Sequence, residues 1–113
     1  MEENNSVAFL YGFSLRFGAQ LDNLLNILKE YSESKIRIKV VLIHDGVIGT
    51  SKKSKIPSFL KELLKLPLTV YAMIPDINAR GINPINLREK IEGIGYEELV
   101  DILAKTPKII SWM

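Results

Sequence analysis

The 113-residue chain has no cysteine and only one histidine and one tryptophan. Without a thiol it can form no disulfide, no thiolate zinc site and no persulfide. A single imidazole rules out a multi-histidine metal site, so no metal and no cofactor is expected. Neither sign of charge dominates: 15 Lys+Arg against 13 Asp+Glu leave +2. That is too mild for a dedicated nucleic-acid binder, although a local basic patch stays open. No apolar run approaches the ~20 residues of a membrane helix, and the first residues do not read as a signal-peptide h-region, so no secretory leader is expected. The expected setting is the cytoplasm, with no membrane contact.

What is present reads as an ordinary globular protein, 47% hydrophobic and 25% charged. The length suits one domain over residues 1–113, burying roughly two-thirds of the surface of its unfolded chain. Residues 1–5, Met-Glu-Glu-Asn-Asn, read as a frayed polar lead-in.

The organising stretch is Ile38 to Gly49. Val40-Val41-Leu42-Ile43 is continuously apolar and rich in β-branched residues, the pattern of a strand covered on both faces. It stops at His44-Asp45-Gly46. Ahead of it, Ser6 to Phe13 reads as a first strand and Ser14 to Gly18 as a turn. Leu21, Leu24, Leu25, Leu28 and Tyr31 then recur at helical spacing. After it come a mobile-looking basic loop, Gly49 to Lys55, and a helix with Pro57 in its first turn and Pro67 as its stop. Leu68 to Ile74 reads as a third strand, and Asp76 to Gly81 as a turn or short helix. Lys90 to Ile94 is a weak fourth strand, Tyr96 to Lys105 a helix, and Lys108 to Met113 a closing strand. This alternation predicts a three-layer α/β/α fold on a mostly parallel sheet of about five strands, with right-handed crossovers.

The polar residues worth weighing gather at the expected carboxyl ends of the strands, where such sheets meet ligands and partners. His44 beside Asp45 can bind or shuttle a proton, yet neighbours on an extended chain point apart. The plainer reading has Asp45 capping its own turn and Gly46 supplying a positive φ. Asp76 and Arg80 fall on the same edge, with Gly81 closing their turn. Arg80 can hold an anion, meet an acid across a subunit interface, or simply pair with Asp76 one turn away. Lys52, Lys53 and Lys55 offer a phosphate contact without any P-loop pattern, and otherwise form a solvated loop. Trp112 reads as a packing or interface anchor. No nucleophile is visible, and no catalytic residue is assigned.

Three segments in order resemble the DsrH/TusB family. Leu42-Ile43-His44-Asp45-Gly46-Val47 is similar to its strand ending in Asp-Gly-Val. Leu68 to Ala72, followed by Pro75-Asp76-Ile77-Asn78-Ala79-Arg80-Gly81, resembles its next strand and Asp-x-x-Ala-Arg-Gly turn. Tyr96 to Val100 and Ile109-Ile110-Ser111-Trp112 resemble its last helix and terminus. The resemblance implies a DsrE-like fold and a place in a hetero-oligomer with DsrE- and DsrF-like (TusD/TusC-like) subunits. Those complexes pass sulfur as a cysteine persulfide, in the TusB branch toward the wobble uridine of tRNA. Some DsrH-like members carry a cysteine in the first helix, at the position of Leu24 here. The implied role is therefore a cysteine-free, non-catalytic subunit, with tRNA at most an indirect partner and a homo-oligomer possible when alone. The alternative is a small-ligand or nucleotide-binding domain that uses the crevice at the strand ends.

Overall fold

The computed structural model describes residues 5–13 and 18–112. Most of the polar lead-in and of the turn read at Ser14 to Gly18 lies outside them, as does Met113. Five strands form one all-parallel sheet: β1 (Ser6–Tyr11), β2 (Arg37–Leu42), β3 (Thr69–Met73), β4 (Ile91–Ile94) and β5 (Lys108–Trp112). They stand in the order β4-β3-β2-β1-β5. Four helices connect them: α1 (Gly18–Glu33), α2 (Ser58–Leu63), α3 (Ile74–Ala79) and α4 (Tyr96–Lys105).

Alternation along β2 divides its side chains between two apolar layers. Ile38, Val40 and Leu42 join Val7, Phe9 and Tyr11 against the leucines of α1 and against Phe59, Leu60 and Leu63 of α2. Val41 and Ile43 point the other way, into a smaller cluster with Met73 and Ile94, on which Leu99 and Ile102 of α4 pack. The fold is thus the three-layer α/β/α arrangement expected, with α1 and α2 on one face, where α3 adds Ile77, and α4 on the other. Leu28, Leu60 and Leu63 have no exposed surface; each such burial stabilises by on the order of 1.5–3 kcal/mol.

Element ends differ from expectation where proline or packing intervenes. β1 stops at Tyr11, two residues early. β3 ends at Met73, because Ile74 already opens α3 with Pro75 in its first turn; a proline that cannot donate to a ladder is at home there. Pro57 is the residue before α2 rather than inside it, and α2 ends at Leu63, short of Pro67. The weak fourth strand is real and pairs with β3. No helix among the described residues is long and apolar enough to cross a membrane.

The carboxyl ends of β1 and β2 approach one another closely. Ile43 N–H donates to Tyr11 O at 2.9 Å, and a Cβ on Gly46 would lie 2.5 Å from that same carbonyl oxygen. Gly46 is therefore required for space. The positive φ expected of it belongs instead to His44, at 49°. Gly46→Ala is expected to destabilise by about 1–3 kcal/mol, because backbone cannot yield as a side chain can; the urea midpoint at unchanged m-value measures it.

The phenol of Tyr11 is buried, and desolvation raises its pKa above the ordinary 10.0. The folded chain then keeps a proton that the unfolded chain has lost, so this contribution is complete below pH 10 and falls as pH rises beyond it. Urea midpoints followed from about pH 8 to 11 should drop less steeply in Tyr11→Phe than in the parent.

Candidate functional site: an ion-paired edge at the carboxyl ends of β2 and β3

Because β2 and β3 are parallel neighbours, Leu42 in register with Ala72, the turns that follow them start side by side. After β2 the chain makes one 3-10 turn, His44–Val47. After β3 it enters α3 directly, which puts Asp76 in the first helical turn and Arg80 at its end. Residues more than thirty positions apart in sequence are thereby brought into contact.

Asp76 joins the two turns. Its Oδ2 accepts the backbone N–H of His44 at 3.0 Å, and its Oδ1 lies 4.0 Å from His44 Nδ1. Arg80 reaches both acids. Its Nε and Nη2 donate to Asp45 Oδ1 at 3.2 and 3.0 Å. Nη1 donates to the backbone oxygen of Asp76 at 3.2 Å and lies 3.8 Å from its carboxylate. The side chains of Asp76 and Arg80 are about a quarter exposed or less, whereas those of His44 and Asp45 are more than half exposed. The cluster presents two carboxylates, one guanidinium and an imidazole, a net negative edge when the imidazole is neutral.

The sequence-predicted residues thus meet, although not every partner is the one read from the sequence. His44 and Asp45 do not couple to each other, a pairing that their adjacency on the chain disfavours, and each takes a partner from the β3 side. The carboxylate of Asp45 receives Arg80 rather than capping its own turn. Of the readings of Arg80, the structure shows the pairing with Asp76 one turn away, and adds Asp45 as a second acid that engages it. Gly81, at φ 71°, closes α3 as read from the sequence, its N–H donating to Asn78 O at 3.1 Å.

The strain sits at His44, a non-glycine residue in the left-handed region. Its N–H is anchored by Asp76, and its ring is left largely in solvent. Sequence reading had no signal for this, since His-Asp-Gly points to the glycine as the residue with unusual backbone.

The basic loop is pinned rather than mobile. Lys52 N–H donates to Asn86 O at 2.7 Å, and Arg88 N–H to Thr50 O at 3.1 Å. The Arg88 guanidinium donates to Gly49 O at 3.2 Å and Ser54 O at 2.8 Å, gripping both ends of the loop. Lys52, Lys53 and Lys55 are exposed on its outside. Arg88 went unnoticed in the sequence because nothing local marks an arginine that will hydrogen-bond carbonyls more than thirty residues away. Trp112 is half-buried on β5 and packs against the larger core.

Sheet order bears on the crevice reading. The chain reverses direction across the sheet between β1 and β5, and open α/β sheets place small ligands at such a reversal. The polar cluster stands elsewhere, between β2 and β3. A hollow of about 380 Å³ lies at the opposite, amino-terminal edge, lined by Arg37, Ile38, Lys39, Pro67, Leu68 and Thr69.

Comparison with known proteins agrees with this architecture. The family described as DsrH like protein matches residues 17–109. The chain belongs to the DsrH family. It is similar to Protein TusB of Enterobacter sp. (strain 638), 31% identical over 94 residues, 83% of this chain and 88% of the relative. It is also similar to Protein TusB of Salmonella paratyphi B, 30% identical over 95 residues, 84% and 90%. Among solved structures, the E. coli YchN protein shares the fold with a TM-score of 0.74 at 16% identity, over 96% of this chain and 99% of that one. A Bacteroides thetaiotaomicron protein of unknown function shares it at 0.67 and 19% identity, over 98% and 97%. Membership of the DsrH family is what the motifs of this edge had implied.

The Asp45–Arg80 pair is largely wet and is expected to contribute modestly. A double-mutant cycle on Asp45→Ala and Arg80→Ala should give a coupling of about 0.2–1 kcal/mol that shrinks with added salt. Asp76→Ala should cost more, about 1–3 kcal/mol in urea denaturation, because it strips the acceptor from the strained His44 turn.

Proposed function

We propose that this DsrH-family chain is the cysteine-free, non-catalytic subunit of a cytoplasmic sulfur-relay complex of the TusBCD/DsrEFH type. In that complex, DsrE- and DsrF-like (TusD/TusC-like) subunits carry sulfur as a cysteine persulfide, toward 2-thiolation of a tRNA wobble uridine or a related intracellular acceptor. The observation that carries this reading is family membership combined with the absence of any thiol: the chain cannot itself hold the sulfur, so it serves those that do. His44, Asp45, Gly46, Asp76, Arg80 and Gly81 form the edge it offers to a cysteine-bearing partner. An internally neutralised arginine and two acids suit recognition by a surface rich in donors and positive charge. Trp112 acts as an interface anchor, and Lys52, Lys53 and Lys55 make any phosphate contact, so that tRNA is met at most indirectly.

Leu24 supports a structural role in a second way. It is 1% exposed in the larger core, so a thiol there would be shut away from any partner. Leu24→Cys should therefore react with a thiol reagent only at the rate of unfolding, orders of magnitude slower than free cysteine, and should restore no sulfur-carrying activity. The decisive experiment is native mass spectrometry of the tagged chain purified gently from its own host. Arrival with cysteine-bearing DsrE- or DsrF-like subunits is the expected result, with the yield of complex reduced several-fold by Asp45→Lys. A chain that arrives without them overturns the reading.

A further inference from the structure

The sheet ends at β5 with nothing described on its outer side. Gly12 N–H donates to Trp112 O at 2.9 Å, and β5 lies parallel to β1 with Tyr11 in register with Trp112. Backbone polar groups alternate in direction along a strand. Lys108, Ile110 and Trp112 therefore aim theirs at β1, and Ile109 and Ser111 aim theirs outward. Among the described residues, no backbone group pairs with those of Ile109 and Ser111. Exposed edges are normally blunted by charge, a bulge or a proline within the strand. This one carries a single lysine at its start and then Ile-Ile-Ser-Trp, with Ile109 45% exposed.

We propose that β5 pairs antiparallel with β5 of a second copy of this chain, about a twofold axis through Ile110, joining the two sheets edge to edge. The strand is its own complement in that register. Ile109 of each copy stands opposite Ser111 of the other, so every outward N–H and C=O of the strand gains a partner. Moving the axis to Ile109 would set Ser111 against Pro107, which has no N–H to give. Moving it to Ser111 would carry Ile109 beyond the strand. The Ile110 axis also sets Lys108 opposite Trp112 of the copy on the same sheet face, which keeps the two lysines apart and places a cation beside an indole. Lys108 already occupies an aromatic setting, its Nζ 5.8 Å from the centre of the Tyr31 ring. A parallel pairing would leave no twofold axis and could not close as a dimer. The inference rests on the sheet edge alone and stands or falls independently of the relay reading.

The absence of cysteine makes the test clean. At the axis, Ile110 of the two copies forms a non-hydrogen-bonded pair with Cα atoms about 4.5 Å apart, within reach of a disulfide. Under mild oxidant Ile110→Cys should give a covalent dimer as its main product, while Lys108→Cys, held far from its own mate, should stay monomeric. By sedimentation, the parent chain should shift toward dimer mass as concentration rises. Ser111→Pro, which removes an outward N–H that β1 does not use, should lose that shift while keeping the parent's circular dichroism. If Ser111→Pro does not fold, Ile109→Lys provides the same comparison at an already exposed side chain. The proposal is overturned by a parent that stays monomeric at every concentration, by equal crosslinking at Lys108→Cys and Ile110→Cys, or by undiminished dimer in a folded edge variant.

Discussion

Strand β2 cannot be hydrated on either face, and the architecture follows from that constraint. Val40, Val41 and Leu42 have essentially no exposed surface, and consecutive side chains of a strand point to opposite sides. The chain must therefore build an apolar layer above and another below. Neighbouring strands run parallel because each is reached by a crossover that supplies the covering helix. α1 and α2 cover one face as the chain moves from β1 to β3. α4 covers the other as it returns from β4 to the opposite edge at β5.

Parallel strands end at the same level, and this is what creates the polar edge. The turns after β2 and β3 begin together, and a carboxylate from one caps a backbone N–H of the other. The left-handed backbone at His44 costs on the order of 1 kcal/mol or more, and Asp76 holds it there. The same crowding that brings the Tyr11 carbonyl against Gly46 fixes where the turn can go. Structural necessity and surface chemistry meet in these few residues, which is why Asp45-Gly46-Val47 and the turn from Asp76 to Gly81 form one unit in space.

With no thiol in the chain, its polar chemistry lies in its surface groups. At the carboxyl edge the Arg80 guanidinium is already paired with Asp45 and Asp76, which leaves one carboxylate charge in excess. The loop of Lys52, Lys53 and Lys55 is pinned at both ends by Arg88, with its lysines exposed on the outside. β5 offers backbone groups instead, and these recognise only another extended segment.

Much of this was legible in the sequence because it is local. Period-two and helical spacing gave the strands and helices, the apolar run Val40 to Ile43 marked the central strand, and the weak apolar signal at Ile91 to Ile94 marked β4. Missing cysteine excluded a cysteine persulfide on this chain with no structure needed. Local pattern also carried Asp45, Asp76 and Arg80 to one edge, since parallel strands share it. Which of them touch, however, depends on the register of two strands and on side chains reaching across it. The sequence therefore had Asp45 capping its own turn when its partner is Arg80, left the partner of His44 unassigned, and gave the unusual backbone to Gly46 when tertiary crowding had placed it at His44. Arg88 pinning the lysine loop, the reversal of strand order between β1 and β5, and the outward direction of Ile109 and Ser111 were likewise decided only by the fold. Sequence determines what each segment prefers; contacts between distant segments are settled by the packing that satisfies all of those preferences at once.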